Sequence, residues 1–449
     1  MDKCCPLCLL VTVNLLLLGA YFSVMQMDQQ YSIFKTIPAR KTTTTTTTTG
    51  TTSTMSRSTY CEDTWGAPLI EKLRRSARDV SFQGLPFSLI EMPRAKVPTA
   101  TSHVSMAIFK LKDHSVNFIK RVPSDGFGFS RTMARQIQLL ARWRAQCSAR
   151  PPEGSKTLML IREWINDFSV LNVWHLIAKA IPKWVSQKVA GASREDTFLL
   201  WPVSVSYVQK GGEIVRKDLK GHSLATLDVL TAAPRLDSKQ AKEQMCSFSK
   251  MVLPFDNGFL WDLHWDKGFV CTVREATLVK SFAHEFMDAV GGSDLLNAPR
   301  SPGKVCIVFR STAGLRSITN EDELEAALRP LQFQGKSIEL AVLRFNIDTP
   351  LKEQMATSRS CHVLVGATGS GMMHLLWLNA GSHVIEILPT LRGSMPDFRY
   401  LQNVAALTES KYSSVLGVSH PQRNQHFQNP SSLEVDVQLV VDAVRDALA

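Results

Sequence analysis

Between residues 304 and 388 short apolar runs and amphipathic runs alternate in an order that few folds accept. KVCIVFR (304–310) reads as a strand. In SITNEDELEAALRPL, Asn320 stands as a helix N-cap with Glu323 three residues on, and Leu324, Ala327, Leu328 and Leu331 recur at helical spacing. SIELAVLRF gives a second strand. TPLKEQMATS then opens a helix with Thr349 at the cap and Pro350 at the first helical position, which suits its fixed φ and missing N–H. CHVLVGA gives a third strand, the turn GATGSG leads into an apolar helix MMHLLWLNAG ended by Gly381, and SHVIEIL gives a fourth strand. This order is that of a parallel sheet covered by helices, in which ligands sit beyond the carboxyl ends of the strands. Further on, SSLEVDVQLVVDAVRDALA carries Ser431 and Glu434 as a capping box, which predicts an amphipathic closing helix.

The turn at 366–371 carries a buried strand into a helix whose free N–H groups and positive dipole end suit a phosphate. It lacks the lysine of GxxxxGK[ST] and does not fit GxGxxG, so by itself it is equally a tight structural turn. Two features add weight. Arg310 and Arg316 follow the first strand, and their guanidinium groups suit a diphosphate, although surface arginines in a loop have the same look. Glu386 sits mid-strand in VIEIL, where a carboxylate accepts from ribose hydroxyls or pairs with one of those arginines.

Residues 6–25 contain no charged side chain and reach the roughly 20 residues a helix needs to cross a bilayer. With a tail of residues 1–5 and more than 400 residues after the span, the expectation is an uncleaved signal anchor in a single-pass type II protein. A Thr-rich stem fills 26–60, including KTTTTTTTTGTTSTMSRST, which has nothing to bury and includes plausible O-glycosylation acceptors. Cys4, Cys5 and Cys8 sit at the expected cytosolic edge of the span, as candidates for palmitoylation. The other six, Cys61, Cys147, Cys246, Cys271, Cys306 and Cys361, allow up to three disulfides in an oxidising lumen; Cys306 and Cys361 also read as buried free thiols within strands. The formal charge is +11, and residues 57–150 hold 16 basic against 7 acidic side chains. There is no zinc-finger spacing and no aromatic-studded basic strand, so nucleic acid is not an expected partner. A polyanion binder using this stretch, Arg74 and Arg75 included, is a weaker reading than a solvated basic face.

Three segments together resemble glycosyltransferase family 61. FRSTAGLRSITNEDEL is similar to the family's arginine segment through Arg310, Arg316, Asn320 and Glu321. LKEQMATSRSCHVLVGATGSGMMHLLWLNAGSHVIEILP is similar to its Gly-rich signature through Gln354, Val365, Gly366, Gly369, Gly371, Leu376, Gly381, Glu386 and Pro389. NVWHLIAKAIPKW is similar to its N-terminal motif through Asn172, His175 and Pro182. The resemblance implies an α/β protein with a GT-B-like pair of Rossmann-type parallel-sheet domains, an acceptor-side domain over 61–290 and a nucleotide-sugar-binding domain over 291–449. It implies an inverting transfer of xylose or GlcNAc from a UDP-sugar to a glycan or protein hydroxyl at the Golgi or endoplasmic reticulum membrane, with no metal and no other cofactor. The chain has no D-x-D pair to hold a metal.

Carried onto this chain, the resemblance gives Arg310 and Arg316 to the diphosphate, the N–H groups of Gly369, Ser370 and Gly371 to the same group, and Glu386 to the ribose. Asn172 and His374 complete the substrate-binding set. An inverting transferase needs one general base, and His175 is the first candidate, with a histidine bonded within a helix–helix contact as the alternative. Glu163, Asp167 and the carboxylates and histidine of DLHWD (262–266) are rivals. The chain departs from the family where Thr368 replaces the usual histidine, Ser370 an alanine, His374 an asparagine and Ala178 a carboxylate. A catalytically inactive relative that binds or scaffolds is therefore the alternative function.

Overall fold

The computed structural model describes residues 66–82, 85–91, 105–110, 139–140, 142–147, 156–161, 173–200, 207–210, 213–216, 222–255, 277–309, 317–345, 349–390, 400–420 and 432–449. All of them fall in one compact unit, Met55–Ala449. The expected span at 6–25 and the Thr-rich stem lie outside the described residues. Among the described residues no helix is long and apolar enough to cross a membrane.

The upstream elements are α1 (Pro68–Arg75), β1 (Arg78–Phe82), β2 (Leu85–Glu91), β3 (Ser105–Lys110), β4 (Lys156–Leu160), α2 (Val173–Val189), β5 (Thr197–Leu200), β6 (Tyr207–Lys210), β7 (Glu213–Arg216), α3 (His222–Asp228), α4 (Ser238–Glu243), β8 (Phe248–Leu253), α5 (Thr277–Gly291) and α6 (Ser293–Asn297). Six strands form a sheet in the order β1-β2-β3-β8-β4-β5, and β6 pairs only with β7. Pairings from β1 to β8 are antiparallel, and β8, β4 and β5 run parallel. The expectation of a Rossmann-type parallel sheet here is therefore corrected to a mixed sheet. The cause is local: only two residues separate β1 from β2, enough for a hairpin and far too few for a parallel crossover. Within this half, the Arg74 guanidinium donates to the carbonyls of Lys188 and Val189 at the end of α2, and Arg75 pairs with Glu71, so both basic side chains serve local structure.

The downstream elements are β9 (Lys304–Val308), β10 (Ser317–Ile318), α7 (Glu321–Leu328), β11 (Gln332–Phe333), β12 (Lys336–Ser337), β13 (Glu339–Leu343), α8 (Leu351–Ser360), β14 (Val363–Ala367), a 3₁₀ helix (Ser370–Trp377), β15 (His383–Thr390), α9 (Tyr400–Leu407), β16 (Lys411–His420), β17 (Ser432–Val435) and α10 (Val437–Leu448). Seven strands order as β10-β17-β16-β15-β14-β9-β13, with β13, β9, β14, β15 and β16 all parallel. Numbered along the chain, that parallel core runs 2-1-3-4-5. The strand order reverses between β9 and β14, and a crevice opens beyond the carboxyl ends of strands at such a switch point.

Period-two alternation divides this sheet between two cores. Val305, Ile307, Val363, Val365, Ile385 and Ile387 pack with Leu324 and Leu328 of α7 and Val440, Val441 and Val444 of α10. Cys306, Val308, Leu364 and Val384 face the other way, into a cluster that continues through α5, α2 and the 3₁₀ helix to Met106, Met159 and Val252 of the first sheet. An aromatic series crosses this layer: Trp184 against Phe282 at 5.7 Å, Phe282 against Phe286 at 5.6 Å, and Phe286 stacked on Trp377 at 5.0 Å.

Several local expectations change. Ser432–Val435 is a strand antiparallel to β16, so the Ser431/Glu434 capping box does not form; α10 starts later, with the Asp436 carboxylate accepting from the N–H of Leu439. Asn320 does not cap α7 with its side chain, which instead spans β17 by donating to the carbonyl of Val435 at 2.9 Å and accepting from its N–H at 3.1 Å. Pro350, not Thr349, is the N-cap of α8. Cys306 and Cys361 are bonded to each other and not free thiols, and Cys147 is bonded to Cys246.

At the amino ends of β14 and β15, burial first and then neighbouring Arg300 and Lys411 push the imidazole of His362 below its ordinary pKa. Burial and Lys411 do the same for His383, and burial and Lys280 for His284. His362 Nδ1 accepts from the N–H of Gly303 at 3.1 Å, a bond that a protonated ring cannot make. A depressed folded pKa means that the unfolded chain binds more protons, so stability is full above the unfolded value of about 6.5 and is lost as pH falls below it. The midpoint of thermal unfolding is expected to be flat from pH 8 to 7 and to drop between pH 6.5 and 5. His362→Asn, which keeps an acceptor and removes the titration, should make that drop shallower, and an equal drop in both proteins would contradict this.

Candidate active site

The carboxyl end of β14 runs through Thr368 and Gly369 into the 3₁₀ helix. Two close approaches require glycine. A Cβ on Gly366 would stand 2.7 Å from Met372 Sδ and 3.3 Å from the Val308 carbonyl oxygen, and one on Gly371 would stand 2.9 Å from Val308 Cγ1. The turn is thereby pressed against the carboxyl end of β9, across the switch point. Gly369 is extended as the N-cap, and the Met372 N–H is the first to bond back, to the Gly369 carbonyl at 3.1 Å. A 3₁₀ helix leaves its first N–H groups without an internal partner, so those of Gly369, Ser370 and Gly371 can meet an anion.

Behind the turn lies a buried polar network. Glu386 is fully buried, yet on β15 it is opposite Gly366 of β14 and Ser414 of β16. Its Oε1 accepts from the Thr368 hydroxyl at 2.6 Å and its Oε2 from the Tyr412 hydroxyl at 2.7 Å. The Thr368 N–H donates to the Ile387 carbonyl at 3.0 Å. Both carboxylate oxygens thus already serve the protein, and Thr368 points inward. His374 is also inside: it is 1% exposed, with its ring 4.4 Å from that of Phe345.

The far end of the 3₁₀ helix is held by Arg359, a buried cation on α8 whose pKa burial lowers. Its guanidinium donates to the Trp377 carbonyl at 3.1 Å and to the Leu296 carbonyl at 2.5 Å. The helix is therefore fixed at both ends, by a carboxylate network and by an arginine clamp.

Of the residues expected in the site, the structure brings Gly369, Ser370, Gly371 and Glu386 together. His374 follows on the same 3₁₀ helix, buried against Phe345. Arg310, Arg316 and Asn172 lie outside the described residues; Arg310 is next in the chain after Phe309, at the carboxyl end of β9. His175 is the third residue of α2, a helix that packs on the 3₁₀ helix, and its side chain lies outside what is described. Glu163, Asp167 and the cluster at 262–266 also lie outside it. Among the described residues no three His, Cys, Asp or Glu side chains converge to hold a metal ion. Tyr412 was not foreseen: it stands 26 residues from Glu386, and only the pairing of β16 with β15 brings it near.

The family model described as Glycosyltransferase 61 matches residues 173–385, a segment that runs from α2 to the middle of β15 and contains the turn. No curated protein matches the chain.

Proposed function

Because residues 173–385 place the chain in glycosyltransferase family 61, we propose that it transfers a sugar from a UDP-linked donor to a hydroxyl of a glycan or glycoprotein, with inversion. The observation that carries this reading is the glycine turn at the switch point, pressed onto β9, where the 3₁₀ helix starts with Gly369 as its N-cap and leaves its first N–H groups without a bond inside the helix. In this reading the donor diphosphate rests on those amides, with Arg310 and Arg316 balancing the charge that grows on the leaving UDP. The acceptor hydroxyl attacks the anomeric carbon and loses its proton to one base, for which His175 is the candidate; the bond to the diphosphate oxygen breaks as the new glycosidic bond forms. Asn172 would help seat the substrate. Glu386, tied back by two hydroxyls, supports the turn and is not assigned to the ribose. The two sheets would act as the two halves of a GT-B pair, xylose and GlcNAc are the favoured sugars, and no metal takes part.

The same reading anchors the protein by residues 6–25 in the membrane of the Golgi or endoplasmic reticulum, with the enzyme in the lumen. Two disulfides among the described cysteines support an oxidising compartment. A binding-only relative is suggested by Thr368 standing for histidine and Ala178 for a carboxylate. Thr368 is 3% exposed and bonded to Glu386, so it serves the buried network, while the side chain of Ala178 lies outside what is described. The test is incubation of the full-length protein in detergent with a panel of nucleotide sugars and glycan acceptors. Release of UDP with sugar transfer is expected, and no turnover with any donor would remove the reading.

A further inference from the structure

Building on the reading that the turn holds a donor diphosphate, we propose that Tyr412 is a positioning residue for that site, acting through Glu386 and Thr368. Tyr412 belongs to β16, two strands from β14, and never needs to touch the donor. Its hydroxyl holds one oxygen of the buried carboxylate at 2.7 Å while Thr368 holds the other at 2.6 Å. Thr368 is in turn pinned to β15 twice, by its N–H on the Ile387 carbonyl and by its hydroxyl on Glu386. The residue that follows it is Gly369, the start of the N–H cradle.

The arrangement solves an electrostatic problem. A carboxylate set behind an anion site competes with the anion for the same N–H donors unless its oxygens are satisfied elsewhere. Hydrogen bonds are stronger in a buried setting than in water, so the two hydroxyls help to hold the Glu386 carboxyl group within the sheet. Without the Tyr412 hydroxyl, the bond that ties Oε2 to β16 is lost, and the carboxylate that holds Thr368 beside the turn is less firmly placed.

The test uses full-length protein with Tyr412→Phe and Thr368→Val, which each remove one hydroxyl, the double variant, which removes both, and Thr368→Ser, which keeps the hydroxyl. Two readouts are taken: UDP affinity by calorimetry, and hydrogen exchange of the Thr368 and Met372 amides, which bond to Ile387 and Gly369. Tyr412→Phe and Thr368→Val are each expected to weaken UDP about tenfold. The double variant should lose less than the product, because both act through one carboxylate. Exchange at the two amides should quicken in the same variants, while Thr368→Ser keeps wild-type values in both readouts. A lowered thermal midpoint with UDP affinity and exchange unchanged would assign Tyr412 to stability alone and overturn the proposal. A wild type that binds no UDP removes the donor reading and with it the site Tyr412 is proposed to serve, whereas UDP binding kept by every variant removes the positioning role alone.

Discussion

Replacing Cys306 and Cys361 together by alanine is expected to cost about 4 kcal/mol of stability, on the order of 5 °C in the unfolding midpoint. The bond closes a loop of 55 residues, and in the chain-entropy account a closure of that size restricts the unfolded ensemble by this amount. Both half-cystines are fully buried, so their loss also leaves a small void between β9 and α8. Position makes the effect larger than stability alone. Cys306 is on β9, two residues before the Val308 against which the turn rests, and Cys361 is two residues before β14. The bond therefore ties β9 to the short connection that leads from α8 into β14, beside the switch point, and the variant should lose UDP affinity as well. Cys147→Ala with Cys246→Ala serves as the comparison: its loop of 99 residues predicts a similar stability loss, in the outer core of the first sheet, with UDP affinity kept. Circular dichroism melts and calorimetry on both double variants check this; equal midpoints to wild type would contradict it.

The second large effect is at Gly371. Neither this residue nor Gly366 needs a left-handed backbone, so each is glycine for space alone. In Gly371→Ala the new Cβ meets Val308 Cγ1 at 2.9 Å, and a β-branched side chain on a strand has no room to swing aside. The first turn of the 3₁₀ helix must lift off β9, carrying its N–H groups with it. Overpacking of this kind costs about 1–3 kcal/mol, which as lost binding is roughly a fivefold to hundredfold weaker affinity for UDP. Val308→Ala removes the atom that clashes, so Gly371→Ala with Val308→Ala should recover most of the affinity although Val308→Ala alone lowers stability. Calorimetric titration of UDP into the three variants checks the pattern, and a double variant no better than Gly371→Ala would contradict it.

Much of the downstream half was legible because its strands are buried on both faces. KVCIV, VLVGA and HVIEIL are predominantly apolar runs closed by turn residues, broken only by Lys304, His383 and Glu386, and all three became parallel strands. The Gly turn was legible for the same reason, although what followed is a 3₁₀ helix beginning at Ser370. What failed depended on partners distant in sequence. SSLEV carries the capping-box pattern of Ser431 and Glu434, yet pairing of Ser432–Val435 with β16 wins over the local signal. Cys306 and Cys361 read as thiols within strands because spacing says nothing of which side chains meet. In the first sheet β3 pairs with β8, about 140 residues later, a contact no window of sequence contains. Within the site the glycines announced themselves by their pattern. Thr368 was seen only as a departure, and Tyr412, which shares Glu386 with it, is an ordinary strand tyrosine until three strands are in register.

The measurement that tests the central claim most directly is sugar transfer followed by NMR of the new glycosidic bond. Full-length protein, an α-linked UDP-sugar such as UDP-GlcNAc or UDP-xylose, and a glycan acceptor should yield free UDP and a β-linked product. A product that keeps the α configuration would contradict the inverting, single-base account, and the absence of any transfer across the donor panel would contradict the assignment of the turn to a nucleotide sugar.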